Sequence, residues 1–148
     1  FVDTEESCHP NPKRNTAFGK ETTAEVKNLI PEGTPLLLER GASADRDRYG
    51  RLLRFVFVPG KLLGADDTKY SNFNIHLVAR GWSPYYMKYG LSKKYHEELM
   101  SAMKKAIKAR LGIWRTEESR DRYMRKIEEW SRRYGLELEN LPEPLPVK

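Results

Sequence analysis

The chain has 148 residues, 39% of them apolar and 32% charged, with a single cysteine, Cys8. That length suits one domain with a single core, one cysteine excludes a disulfide or a cysteine metal cluster within the chain, and no apolar run approaches the roughly 20 residues of a membrane-spanning helix. Lys and Arg outnumber Asp and Glu by 27 to 21, a net charge of +6 that favours polyanions, nucleic acid or acidic membrane, without choosing between them.

Phe1-Val2-Asp3 reads as the middle of a strand and runs into an acidic cluster, Asp3-Thr4-Glu5-Glu6. Two prolines make Ser7 to Pro12 an irregular loop. From about Thr16 to Ile30 the spacing of Phe18, Thr22, Val26, Leu29 and Ile30 predicts a helix, which Pro31-Glu32-Gly33 ends. Thr34 to Arg40 reads as a strand around Leu36-Leu37-Leu38. A polar turn follows and leads through Asp47-Arg48-Tyr49-Gly50-Arg51 into a second strand, Leu52 to Val58. Pro59-Gly60 breaks that strand, and Gly64-Ala65-Asp66-Asp67 forms a loop.

Asn72 to Arg80 is a short helix with Phe73, Leu77 and Val78 on its apolar side; Gly81 stops it, and Trp82 to Tyr86 is extended. A long helix is expected from Lys93 to Leu111, with Ser92 as N-cap and an inner stripe of Tyr95, Leu99, Met103, Ala106 and Ile107. Gly112 ends it and Ile113-Trp114 plugs into the core. Thr116 caps a further helix with Glu117 and Glu118 at its positive end and a stripe of Tyr123, Ile127, Trp130 and Tyr134. Residues 136 to 148, with Pro142, Pro144 and Pro146, read as an extended tail. Strands mixed with segregated helices make the fold class α+β.

Two stretches offer chemistry. The carboxylates Asp3, Glu5 and Glu6 at a strand end suit a hard cation that prefers oxygen ligands, or one of them a general base for an attacking water. Arg51, at the mouth of a strand beside a flexible Gly50, has the planar fork that fits two phosphate oxygens. Taken singly, each is more often a solvated strand end or a surface hairpin. Taken together they make a sensible phosphodiesterase site, in which cation and guanidinium neutralise phosphoryl charge while a carboxylate prepares the water.

The remaining features carry ordinary readings. Cys8 is a passive thiol, His9 a loop cap, and His76 and His96 lie on helices without metal-ligand spacing. The basic residues from Lys93 to Arg110 fit a nucleic-acid backbone or a solvated face equally well. Charges of both signs from Arg120 to Glu129 read as an exposed face with local ion pairs.

Phe1-Val2-Asp3-Thr4-Glu5-Glu6 resembles the V-D-T-P-E motif of the staphylococcal-nuclease-like (thermonuclease) family, with His9-Pro10 at the usual distance beyond it. Asp47-Arg48-Tyr49-Gly50-Arg51 is similar to the family's D-x-Y-G-R, and Asn74 to Gly81 to its N-x-x-L-V-x-x-G helix. Leu111-Gly112-Ile113-Trp114 resembles the segment closing its last helix. Ordered landmarks over residues 1 to 115 are far more specific than one short motif; residues 116 to 148 form a C-terminal helical extension and proline-rich tail without a counterpart.

The resemblance implies a five-stranded OB-type barrel with three helices, and a Ca²⁺-dependent endonuclease that cuts DNA or RNA to 3′-phosphate products. It implies Asp3 and the carbonyl of Thr4 as metal ligands, Glu6 as general base and Arg51 on the scissile phosphate. Arg48 and Tyr49 fall near the nucleotide, with Tyr86 or Tyr89 stacking on it or bonding to it. Glu5 stands where the family has proline. The family's second metal-binding Asp, its second catalytic Arg and its first two strands lie upstream of the motif, so an upstream segment, or a partner chain, is expected to complete the barrel. The rival expectation is a catalytically incomplete module that binds nucleic acid or protein; a weaker one, resting on charge alone, is an anionic-lipid binder.

Overall fold

A computed structural model describes residues 1–41, 44–65 and 69–136. Four α-helices and one antiparallel sheet follow in the order α1 (Ala17–Leu29), β1 (Leu37–Arg40), β2 (Arg54–Pro59), β3 (Tyr70–Asn72), α2 (Phe73–Ala79), α3 (His96–Lys108) and α4 (Glu117–Arg133). The sheet order is β1-β2-β3, with Leu37 opposite Phe57 and Phe57 opposite Asn72. The α+β expectation therefore holds. The described residues form three strands in one open sheet, not a closed five-stranded barrel.

Three helices open on a side-chain cap, and of these caps Thr116 is the one expected from the sequence. Thr16 accepts from the Gly19 N–H, Asn72 from Asn74 and Ile75, and Thr116 from Ser119, each supplying an acceptor to an N–H that the first turn leaves unpaired. α3 is shorter than its apolar stripe suggested. Ser92 does act as a cap, its Oγ accepting from the Tyr95 N–H at 3.0 Å, but the helix proper starts at His96. It ends at Lys108 because Arg110 takes a positive φ of 52° and the Leu111 N–H reaches back to the Ala106 carbonyl, a left-handed close of the last turn.

Phe1 and Val2 do not join the sheet as a strand. Phe1 is held by its carbonyl, which accepts from the Tyr86 N–H at 3.0 Å, and by its ring, stacked 5.5 Å from Phe55. Trp82 to Tyr86 likewise forms no strand and bends at Trp82 and Ser83. The main core gathers Phe55, Val78, Tyr85, Met87, Leu99, Met103, Ile107, Ile113 and Trp114. Tyr123, Ile127 and Trp130 of α4 belong to the same cluster, so α4 is packed on the body of the molecule by its apolar stripe. Tyr134, expected in that stripe, caps the helix end instead, and its hydroxyl donates to the Lys88 carbonyl. Leu36, Leu37, Leu38 and Leu52 stay exposed on and beside β1, a sheet edge. The tail from 137 onward lies outside the described residues, as do Asp66 and Asp67 of the predicted loop.

Candidate active site

The acidic segment 3–6 has no regular secondary structure, and contacts from distant parts of the chain fix it instead. The Asp3 N–H donates to Ser83 Oγ at 2.8 Å. The Glu6 carbonyl accepts from the Thr16 N–H at 2.9 Å. The first turn of α1 presses against that carbonyl so closely that a Cβ on Gly19 would stand 2.2 Å from the Glu6 oxygen. Only glycine fits at this approach.

Asp3 is the electrostatic centre of the region. It keeps an exposed edge, yet desolvation by surrounding protein raises its carboxyl above the usual range, and Glu6 adds to the rise; Lys126 and Arg51 pull it back down. Asp3 thus lies in the field of Glu6, three residues on, and of Arg51 and Lys126 of α4, which are far from it in sequence. Glu6 itself is half-exposed and lies 3.8 Å from Arg14.

The loop bearing Arg51 is built on one carboxylate. Asp47 Oδ1 accepts from the N–H groups of Tyr49 and Arg51, and Asp47 Oδ2 accepts from Arg51 Nε at 2.6 Å. Partial desolvation works to raise the Asp47 carboxyl, but these donors outweigh it and hold it below its ordinary value. Gly50 closes the turn at φ 80°, and its N–H donates to the Asp47 carbonyl; a side chain there is strained although space is open. Arg51 remains three-quarters exposed, so its fork stays open to an incoming anion. Arg48 and Arg51 both lie over the exposed Tyr49 ring, 4.7 and 5.3 Å from its centroid.

Tyr86 and Tyr89 differ in role. Tyr86 packs edge-on against Trp130 at 4.9 Å, and burial, followed by the nearby Asp3 carboxyl and Tyr89, pushes its phenol up to about 12. Tyr89 stands 78% exposed with its ring 6.0 Å from Tyr86. It offers an open aromatic face, which Tyr86 does not.

The donor set is oxygen-only, which fits a hard cation such as Ca²⁺. No group of three or more His, Cys, Asp or Glu side chains able to hold a metal is gathered among the described residues. Asp3 and a Thr4 carbonyl would therefore supply only part of the about six to eight oxygens such an ion takes. The histidines do not join this set. His9 is the loop cap expected, its Nδ1 accepting from the Asn11 N–H, and Cys8 is a free exposed thiol.

Sequence reading missed the part of the site that α4 contributes. Arg122 and the Tyr123 hydroxyl both donate to Glu5 Oε1, the latter at 3.1 Å, and Lys126 sits one turn on, its Nζ 4.9 Å from the Tyr123 ring centroid. Arg122 and Lys126 read as solvated-face charges because their spacing is that of a polar helix side. Their position beside the apolar stripe residue Tyr123 is the signal that could have placed them at an interface. Local pairs do exist elsewhere on α4, as with Arg133 and Glu129 at 3.2 Å.

No helix among the described residues is long and apolar enough to cross a membrane. Residues 1–116 match the family model described as staphylococcal nuclease homologue. The chain is also similar to Endonuclease YhcR of Bacillus subtilis (strain 168), at 29% identity over 119 residues, which covers 76% of this chain and 9% of that protein. It thus spans under a tenth of that relative's length. With the family model matched over most of its length, the chain belongs to the staphylococcal nuclease homologue family.

Proposed function

We propose that this chain is a nuclease domain that hydrolyses phosphodiester bonds of DNA or RNA with Ca²⁺, leaving 3′-phosphate ends. The observation that supports the reading is that the Asp3 carboxyl feels both Glu6 and the exposed Arg51, which lies 48 positions away. Glu6 takes a proton from water as the water oxygen attacks phosphorus. Arg51 donates to the phosphoryl oxygens as their charge grows. The bond from phosphorus to the 5′-oxygen breaks, the 5′-oxygen takes up a proton, and the phosphate stays on the 3′ side. Asp3, with the Thr4 carbonyl, would hold the cation, which supplies charge neutralisation at the phosphate when bound. Arg48, Tyr49, Tyr86 and Tyr89 line the approach of the nucleotide, with Tyr89 the exposed stacking face.

A second reading, a module that binds nucleic acid or protein without cutting, is favoured by the pairing of Arg51 with Asp47 and by the lack of a three-ligand metal cluster among the described residues. One assay separates the two. DNA is incubated with the protein in Ca²⁺, in chelator, and as Glu6→Gln. The nuclease reading expects cutting in Ca²⁺ alone, lost with chelator and reduced in the variant. Cutting that survives both refutes the assigned mechanism, and binding without cutting supports the module.

A further inference from the structure

We infer that α4 is a working part of the cleavage site, with Arg122 and Tyr123 as positioning residues that hold the acidic segment through Glu5. The inference rests on the nuclease reading of Asp3, Glu6 and Arg51. Three carboxylates within four residues repel one another, and residues 3–6 have no helix or sheet to order them. Backbone contacts to Ser83 and Thr16 fix Asp3 and Glu6 at the two ends of the segment. Between them, the Glu5 carboxylate supplies a side-chain tie, and both its donors come from α4.

The neighbouring carboxylates are used in opposite ways. Glu5 has a side chain only 10% exposed and faces α4, whereas Glu6 is 50% exposed. A carboxylate so enclosed is stable only while its donors are present, because removing one leaves a poorly solvated charge short of a partner. The donors are themselves anchored. Tyr123 is buried, with its ring 6.0 Å from Trp114, and Ile127 and Trp130 hold the same helix in the main core. A rigid element therefore fixes the residue between the proposed metal-ligating carbonyl of Thr4 and the proposed base Glu6. A displacement on the order of 1 Å at such a point can lower turnover by up to about a hundredfold. Lys126, on the same face of α4, adds positive charge toward the acidic segment.

The test uses the whole chain, with DNA cleavage kinetics, calorimetric titration of Ca²⁺ alone, and thermal melting on each variant. Tyr123→Phe keeps the packed ring and removes only the hydroxyl. Arg122→Met removes the charge, Arg122→Lys restores it, and Glu129→Gln on the exposed side of α4 is the control. The expected result is a fall in kcat of about tenfold in Arg122→Met and a smaller fall in Tyr123→Phe. KM for DNA stays within about twofold, Ca²⁺ binding weakens, Arg122→Lys recovers part of the loss, and Glu129→Gln matches the parent. Variants that cut and bind Ca²⁺ like the parent overturn the inference, as does a loss that follows the melting temperature and is not recovered by Arg122→Lys. A parent that neither cuts DNA nor binds Ca²⁺ sinks the nuclease reading itself, and the inference with it.

Discussion

The carboxylate of Glu5 accepts a hydrogen bond from the hydroxyl of Tyr123, 118 positions away, at 3.1 Å. This contact joins the first residues of the chain to its last described helix. Burial of the Tyr123 phenol, and then the Glu5 charge beside it, raise its pKa well above the ordinary tyrosine value.

Tyr86 and Tyr123 should therefore resist alkaline titration. Burial raises Tyr86 to about 12, with Asp3 and Tyr89 adding to the rise, and Tyr85 and Tyr95 are also raised, burial leading in each. A phenol whose folded pKa lies above its unfolded value of about 10 contributes stability that is complete below pH about 10 and is lost as pH climbs toward the folded value. Ultraviolet titration of phenolate should show only part of the eight tyrosines ionising before the protein unfolds. A single transition of all eight near their ordinary pKa, in protein that circular dichroism shows still folded, would contradict this.

Gly19→Ala should destabilise the protein although alanine is the better helix former. The added methyl would stand 2.2 Å from the Glu6 carbonyl oxygen, which is backbone and cannot swing aside. An overpacked contact of this kind costs about 1–3 kcal/mol, more than the about 1 kcal/mol gained in helix propensity. Chemical denaturation measures the difference, and an unchanged or higher midpoint would show that α1 and the acidic segment are not in contact.

Asp47→Ala should lower kcat/KM by about tenfold, because the three donors that Asp47 gathers are what shape the Arg51 loop. Freed of its carboxylate, Arg51 is available but no longer placed. If the variant cuts faster than the parent, the Asp47 pairing restrains Arg51 rather than orienting it.

Glu39→Gln should cost about 0.5 kcal/mol at neutral pH and nothing in acid, as expected for a partly exposed, screened pair. Lys94 Nζ stands 2.5 Å from Glu39 and the Tyr95 hydroxyl donates to it at 2.9 Å. The Lys94 hydrogen bond leads in holding the Glu39 carboxyl below its ordinary value. Stability from such a group is present above the unfolded pKa of about 4.3 and is lost as pH falls through the folded one. Denaturation of parent and variant at neutral and acid pH measures this, and a difference that persists in acid would point to packing instead of charge.

Much of the architecture was legible because local chemistry decides it. The spacing of Leu99, Met103, Ala106 and Ile107 places α3, that of Phe18, Thr22, Val26 and Leu29 places α1, the cap Thr116 places the start of α4, and the turn from Asp47 to Arg51 closes on its own side chain. The misplaced elements have other causes, one local and one distant. The early end of α3 depends on the left-handed Arg110, and Phe1-Val2 has the letters of a strand but pairs through one carbonyl to Tyr86.

By itself the sequence determined which segments coil and which family motifs the chain carries, since those depend on residues within a few positions of one another. Only the tertiary structure decided that Glu5 turns toward Arg122 and Tyr123 while Glu6 faces solvent, and that Lys126 joins the field of Asp3. Such pairings arise when a core shared by distant segments brings them together, and no periodicity along the chain records which partner waits at the far end.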